Sequence, residues 1–302
     1  MENEVRKKQI VKVTLVGSLV NLLLLLFKFA AGILGRSGAM IADAVHSLSD
    51  FATDIVVLFC IRISSKPRDE DHDYGHGKYE TLATAIIGIV LFFVGLSLMW
   101  GGVTKVVGVF FRGEELTSPG YIALIAALIS ILSKEVLYRY TIRVGKKVNS
   151  KSVIANAWHH RSDAFSSIGT ALGIGGAIFL GGKWTVLDPI AAVIVSVFIL
   201  KVAVQLVWPA LNELLEKSLP AEVEDEIIEI INGTPEVSDP HNLRTRQIGN
   251  YYAIDVHIRV ADEMPVVEAH AITKVIEERL HERYGPETYI NLHVEPMTHT
   301  HP

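Results

Sequence analysis

Six long apolar stretches follow one another along the first two thirds of the chain. They lie near residues 10–34, 39–61, 82–104, 120–138, 152–180 and 187–210, with charged or Gly- and Pro-containing segments between them. A helix needs about 20 mostly apolar residues to cross the hydrocarbon core of a bilayer. The pattern therefore predicts an all-α bundle of six transmembrane helices in a membrane domain that covers residues 1–212.

The pattern becomes that of a soluble domain over residues 213–302. Apolar positions at helical spacing, and then at alternating positions, predict the order αββαβ. The predicted elements are a helix over 221–232, strands over 243–248 and 251–260, a helix over 266–284 and a strand over 289–295. This part is therefore predicted to be a small α+β domain.

Charge divides the chain at the same place. Residues 213–302 hold 7 basic and 18 acidic residues, a net charge of −11, so residues 1–212 carry +6 of the total of −5. An acidic soluble part repels phosphates, which disfavours nucleic-acid binding. Cys60 is the single cysteine, so a bound metal would need histidine and carboxylate ligands.

Basic residues predict how the spans are oriented. Thirteen of them lie in the N-terminal arm and in the connections after spans 2 and 4, whereas the opposite connections hold only Arg36, Lys105, Arg112 and Lys183. Basic connections stay on the cytoplasmic side of a membrane. Both termini and the acidic domain are therefore predicted to lie in the cytoplasm of an inner-membrane protein.

Span 2 carries a stripe of ionisable residues on one helical face. Asp43, His46, Asp50 and Asp54 recur at steps of three or four residues. Span 5 carries a similar polar stripe, formed by Asn156, His159 or His160, Asp163, and Ser166 or Ser167. Both spans contain the sequence His-x-x-Ser-Asp. Such groups are costly at membrane depth unless they face a cavity, a partner or an ion.

Two interpretations of these stripes remain. Polar residues can hold helices together, although such contacts normally use Ser, Thr, Asn and Gln. The alternative is a metal site, because His and Asp four residues apart stand about 6 Å apart along a helix. Two such helices supply two nitrogens and two carboxylates, a set that suits Zn²⁺. We therefore predict His46, Asp50, His159 and Asp163 as its ligands.

The chain resembles the cation diffusion facilitator family, especially its bacterial zinc and ferrous-iron efflux branch. The resemblance rests on four segments: Ala42-Asp43-Ala-Val-His46-Ser-Leu-Ser-Asp50, Asp69-Glu-Asp-His72-Asp-Tyr-Gly-His76-Gly-Lys78-Tyr-Glu80, His159-His-Arg-Ser-Asp163 and His241-Asn-Leu-Arg244-Thr-Arg246-Gln-Ile-Gly249. It implies a homodimeric metal/proton antiporter whose transport site matches the four predicted ligands. His46 departs from the Asp common in that branch, which favours Zn²⁺ while leaving Mn²⁺, Fe²⁺, Co²⁺ and Cd²⁺ open.

The resemblance also implies two cytoplasmic metal sites and a charged pair. The matching residues are Asp69, His72 and His76 in the loop after span 2, then His241, His257, His270, His293 and Glu295 in a ferredoxin-like, metallochaperone-like domain, and the pair Lys78 and Glu216. Glu295 departs from the Asp of the efflux branch. Each set also has a simpler interpretation. The loop residues can be part of a solvated loop, the histidines of the domain can be ordinary surface residues, and the charged pair can be solvated.

Metal and protons compete for a His/Asp site because its ligands must be deprotonated to bind metal. This predicts an efflux transporter driven by re-entering protons rather than an enzyme.

A membrane metalloenzyme would need an open coordination position and a nearby general base, and no His-Glu-x-x-His motif is present. A membrane-anchored metal sensor remains the alternative, in which Asp50 and Asp163 would be dispensable.

Overall fold

The structure is a computed structural model that describes residues 2–64, 69–147 and 151–298. Within these ranges it describes no side chain of residues 2–8, 10, 11, 53–64, 151, 152 and 155. The expectations for the side chains of Asp54 and Cys60, and for the basic residues of the connection after span 2 up to Arg68, lie outside this description.

Six long helices make up the first part of the chain. They are α1 (Glu2–Leu34), α2 (Gly38–Ser64), α3 (Lys78–Arg112), α4 (Tyr121–Lys147), α5 (Lys151–Leu180) and α6 (Leu187–Leu214), with a short 3-10 helix at Gly182–Val186 before α6. Five stretches are long and apolar enough to cross a bilayer: Lys12–Leu34, Lys78–Arg112, Tyr121–Lys147, Asn156–Leu180 and Gly182–Leu214. With 27 residues, α2 also has the length that a crossing needs.

Small residues let the membrane helices approach closely. Ala31, Ala39, Ala123 and Ala127 are among the fully buried residues of one core cluster of this region. A Cβ atom added at Gly173 of α5 would lie 2.3 Å from the Cβ of Ala191 on α6. Close packing of small residues is the ordinary way in which helices associate in lipid, where there is little hydrophobic force between them.

The start of α2 is fixed by an acid from α6. Asp188 accepts a hydrogen bond from the backbone N–H of Gly38 at 2.8 Å and another from the hydroxyl of Ser37. The first N–H groups of a helix have no partner inside the helix, and an anion there is favourable. The contact therefore stabilises the beginning of the helix that carries His46 and Asp50.

The remaining elements are α7 (Ala221–Asn232), β1 (Ser238–Ile248), β2 (Tyr251–Val260), α8 (Val266–Tyr284) and β3 (Tyr289–Pro296). In the sheet order β1-β2-β3, β1 and β2 are antiparallel and β2 and β3 are parallel. The helices cover one face, where Ile227, Ile254, Ile258 and Ile276 are buried. The predicted fold class, a helical membrane region followed by a small α+β domain, is confirmed.

Strand β1 begins five residues earlier than the sequence pattern predicts. Ser-Asp-Pro-His-Asn at 238–242 has the composition of a turn. In the structure Ser238 and His241 still pair with β2, because the register shifts on both sides of His241, with Asp239 and Asn242 at positive φ. Such bulges take up extra residues and redirect side chains, and here they place His241 opposite His257.

The chain divides into two compact units. One consists of residues 1–55 and 86–206, and the other of residues 56–85 and 207–302. The polar stripes of α2 and α5 lie in the first unit. The acidic loop, the first turns of α3, the end of α6 and the α+β domain lie in the second.

Candidate metal sites

Three of the four predicted transport-site ligands converge in the first unit. His46, Asp50 and Asp163 each offer a ligand atom within 4.8 Å of the others. The fourth residue, His159, lies at the border of this group, with Nδ1 3.8 Å from Oδ1 of Asp163 and more than half of its side chain exposed. We call His46, Asp50, His159 and Asp163 the intramembrane site.

A cavity opens beside the intramembrane site. It measures about 470 Å³ and lies between α2, α5 and α6, with His46 and Asp163 on one side and Ser166, Lys201 and Gln205 among its polar lining. Nδ1 of His46 is buried without a hydrogen-bond partner among the described residues. The arrangement joins an available imidazole and a carboxylate to a space that a partly hydrated ion could enter.

Two buried lysines contact the stripe residues, and the sequence patterns did not single them out. Nζ of Lys134 on α4 lies 2.7 Å from Oδ2 of Asp163, and Nζ of Lys28 on α1 lies 2.8 Å from Oδ2 of Asp43. Lys28 also donates to Ser47 and Ser167. The signal that could have found them is a lysine inside an apolar span, which requires a partner.

His160 differs from its neighbour His159. It is only 2% exposed, and neither of its ring nitrogens has a hydrogen-bond partner among the described residues. Its Nε2 lies 3.5 Å from where a Cβ of Gly17 on α1 would stand. His160 therefore faces α1, while His159 borders the intramembrane site.

The predicted loop site is brought together in the second unit. Oδ1 of Asp69 lies 3.0 Å from Nδ1 of His72, and Oδ2 lies 3.2 Å from Nε2 of His76. The centroids of the two imidazole rings are 4.3 Å apart, and Nε2 of His72 contacts the hydroxyl oxygen of Tyr79 at 3.1 Å. The hydrogen bond with His72 is the main reason that the pKa of Asp69 is lowered. Asp69, His72 and His76 can therefore offer one carboxylate and two imidazoles to an ion.

The α+β domain holds a second cluster of imidazoles around one carboxylate. His241, His257 and His293 stand side by side on β1, β2 and β3, because they are direct partners in the strand register. Glu295 reaches all three, at 3.3 Å from Nε2 of His241, 2.8 Å from Nδ1 of His257 and 3.6 Å from Nε2 of His293. We call these four residues the sheet cluster.

His270 is the one predicted ligand of this domain that does not join the sheet cluster within the chain. It is exposed on α8. The three-ligand group found among the described residues of this domain contains His241, His257 and Glu295. A role for His270 therefore stays a prediction.

The predicted charged pair is formed, and it belongs to a larger network. Lys78 at the start of α3 contacts Glu216 after α6, and Nε of Arg246 on β1 lies 3.0 Å from the same carboxylate. Glu213, which the sequence patterns did not single out, accepts hydrogen bonds at 2.7 Å from the hydroxyl of Thr81 and from the N–H of Gly249. These contacts join the ends of two membrane helices to β1 and its turn.

These features define a polytopic membrane protein with clusters of metal-binding side chains in its membrane and soluble parts. The family model described as the cation efflux transmembrane domain matches residues 14–215, and that of the cation efflux protein cytoplasmic domain matches residues 219–297. The chain belongs to the cation diffusion facilitator family. It is therefore a divalent metal cation efflux transporter, and its cytoplasmic domain is of the dimerising kind.

Named relatives cover nearly the whole chain. It is 35% identical to the manganese efflux system protein MneP of Bacillus subtilis, over 94% of this chain and 95% of that protein. It is 33% identical to metal tolerance protein C1 of Arabidopsis thaliana, over 89% of this chain and 59% of that protein. Among solved structures, the metal-bound C-terminal domain of the CzcD transporter from Thermotoga maritima is 30% identical, with a TM-score of 0.25, over 26% of this chain and 93% of that domain.

Proposed function

We propose that this chain exports Zn²⁺ through the intramembrane site in exchange for protons. The convergence of His46, Asp50 and Asp163 within 4.8 Å carries the proposal. With His159 beside them, the ligand set has two imidazoles and two carboxylates, which suits tetrahedral Zn²⁺ better than an all-oxygen site would. The cavity next to His46 and Asp163 supplies a path for the ion.

Proton exchange follows from the chemistry of the ligands. An imidazole and a carboxylate bind metal only when they are deprotonated, so protons that enter from the outer side release the ion. His46 and His159 are the proposed proton acceptors, because an imidazole nitrogen that binds a metal ion can bind a proton in its place. The exchange then needs no separate coupling device.

Mn²⁺ is the second candidate substrate. The relative MneP is named a manganese efflux protein, and it aligns along nearly the whole chain. Mn²⁺ prefers oxygen ligands and a higher coordination number than Zn²⁺ does. Water in the cavity beside Asp163 could supply the additional oxygens.

We also propose a membrane domain over residues 1–212 and a cytoplasmic domain over residues 213–302, with both termini in the cytoplasm. The loop site and the sheet cluster would then bind cytoplasmic metal. Their close imidazole and carboxylate groups support that role, and binding there would stabilise the dimer and report the metal level to the transporter.

Metal uptake into inside-out proteoliposomes with an imposed pH gradient tests the function. Zn²⁺, Mn²⁺, Fe²⁺ and Co²⁺ are compared for the wild type, for Asp163→Ala and for the control Glu114→Gln. The side chain of Glu114 is half exposed, and Glu114 is not one of the predicted ligands. We expect gradient-dependent Zn²⁺ flux that Asp163→Ala abolishes and Glu114→Gln retains. Flux of another metal alone would overturn the assignment of Zn²⁺, and flux that survives in Asp163→Ala would overturn the site.

A further inference from the structure

We propose that Lys134 is a tethered cation that competes with the transported metal for Asp163 and thereby limits how tightly the intramembrane site holds the ion. The inference rests on the proposed transport site. It assigns a task in transport to a residue that is not itself a metal ligand.

The contact between Lys134 and Asp163 is close and buried. Lys134 is 4% exposed and Asp163 is 8% exposed, and the ammonium lies 2.7 Å from Oδ2 of the carboxylate. An unpaired lysine at this depth would be costly. Lys134 therefore holds the carboxylate that a metal ion needs.

The charges favour competition rather than simultaneous binding. Asp50 and Asp163 together contribute −2, and the ammonium of Lys134 reduces this to −1. A divalent ion bound to Asp163 would stand close to the ammonium, and two cations that share one carboxylate in a region of low dielectric repel each other strongly. Metal binding is therefore favoured when the ammonium leaves Asp163.

The structure offers the displaced ammonium another position. Ser130 lies one turn before Lys134 on α4, and its buried hydroxyl has no hydrogen-bond partner among the described residues. Long side chains on a helix run back toward its N-terminus, over the residue four positions earlier. Lys134 can therefore exchange Asp163 for the hydroxyl of Ser130 by a change of side-chain rotamer.

The pair of Lys28 and Asp43 provides a matched control. Both of its residues are only 1% exposed and its length is nearly the same, 2.8 Å, but Asp43 is not one of the assigned ligands. If buried lysines only hold the helices together, loss of either lysine will lower stability and leave the affinity for metal unchanged. If Lys134 competes with the ion, its loss alone will increase the affinity.

The test is calorimetric titration of the full-length protein in detergent with Zn²⁺ alone, at about pH 8 so that carboxylates are deprotonated. The binding event that disappears in Asp163→Ala defines the intramembrane site. We expect that event to be at least about tenfold tighter in Lys134→Gln and unchanged in Lys28→Gln. In proteoliposomes, Lys134→Gln should lower both KM and the maximal rate, because the ion leaves more slowly.

Lys134→Arg keeps the buried positive charge, so it provides a second test of the competition if Lys134→Gln does not fold. A guanidinium binds a carboxylate through two hydrogen bonds, so we expect Zn²⁺ binding to be about tenfold weaker than in the wild type. Unchanged affinity in the folded Lys134 variants would overturn the inference and leave the transport site intact. If Asp163→Ala removes no binding event, the transport site and the tethered cation are both overturned.

Discussion

Glu295 is nearly inaccessible to solvent, yet its contacts are mainly with imidazoles and an arginine. It is 3% exposed, with His241, His257 and His293 within 3.6 Å and Nε of Arg259 3.9 Å away. A carboxylate is costly to bury unless cations or a metal compensate it. Glu295 is therefore the central carboxylate of the sheet cluster, in contact with all three of its imidazoles.

Replacement of Glu295 by Gln should disable the sheet cluster while preserving its shape. Loss of a group that only supports a metal ligand already costs about 10–100-fold in affinity, so loss of this carboxylate should weaken Zn²⁺ binding at least about 100-fold. Equilibrium dialysis of the full-length protein should show fewer tightly bound ions per chain. The exposed Glu287, at the turn before β3, gives the control Glu287→Gln, and equal binding by both variants would exclude Glu295 as a ligand.

Residue spacing predicted the candidate site better than it predicted the partners of the site. His46 and Asp50 share a helical face by their spacing alone, and the structure brings Asp163 to them. Lys28 and Lys134 were not found, because neither belongs to a periodic pattern of ionisable residues on its span. Which carboxylate an isolated lysine meets is decided by helix packing, and no local pattern records that packing.

At the scale of elements, the contact between α5 and α6 depends on a glycine. A Cβ at Gly173 would be 2.3 Å from Ala191, whereas one at Gly169, a turn earlier on α5, would meet nothing within 4 Å. Gly173→Ala should therefore lower the free energy of unfolding by about 1–3 kcal/mol through overpacking. Gly169→Ala should be neutral or stabilising, because alanine favours helix. Thermal unfolding in detergent compares the two, and equal melting temperatures would show that the helices can separate without cost.

Helices α7 and α8 are joined by one acid with two donors. Glu226 accepts hydrogen bonds from Arg283 at 2.6 Å and from the hydroxyl of Tyr284 at 3.0 Å, and these bonds lower its pKa. Burial, followed by the hydrogen bond to Glu226, raises the pKa of Tyr284 to about 12. The contact is therefore sensitive to pH at both ends of the scale.

The sign of each effect follows from which protonation state the fold favours. Glu226 stabilises the domain above its unfolded pKa, and this contribution is lost as the pH falls through its lower folded value. Tyr284 stabilises it below an unfolded value of about 10, and this contribution is lost as the pH rises toward about 12. Glu226→Gln should therefore increase hydrogen exchange in α7 and α8 at neutral pH, with a difference from wild type that shrinks in acid. The exposed neighbour gives the control Asp225→Asn, and a difference independent of pH would contradict the ion pair.

The helices and strands of the α+β domain were predicted closely because each has a clear apolar period. The start of β1 was wrong because turn-forming residues occur there inside a strand. Pairing of Ser238 and His241 with β2, which is a long-range interaction, keeps this segment in the sheet, while Asp239 and Asn242 adopt positive φ in the bulges. Bulges of this kind are decided by the partner strand and not by local sequence.

For the whole molecule, the division of charge predicts the side of the membrane on which each loop lies. In a functional background with Cys60 replaced by Ser, Lys183→Cys lies in the exposed segment before α6 and Lys217→Cys lies in the exposed segment after it. We expect a membrane-impermeant thiol reagent to label Lys183→Cys in intact cells. Lys217→Cys should react only after the cells are permeabilised, and the reverse pattern would place the acidic domain outside.

The two buried lysine pairs also bear on how the chain enters the membrane during synthesis. Lys28 meets Asp43 across the connection between α1 and α2, and Lys134 meets Asp163 across the connection between α4 and α5. Each charge alone would add about 2.5–3.5 kcal/mol to the insertion of a single helix. Because each lysine is followed by its own aspartate on the next helix, a helical hairpin that leaves the translocon as a unit carries neutralised charges into the lipid.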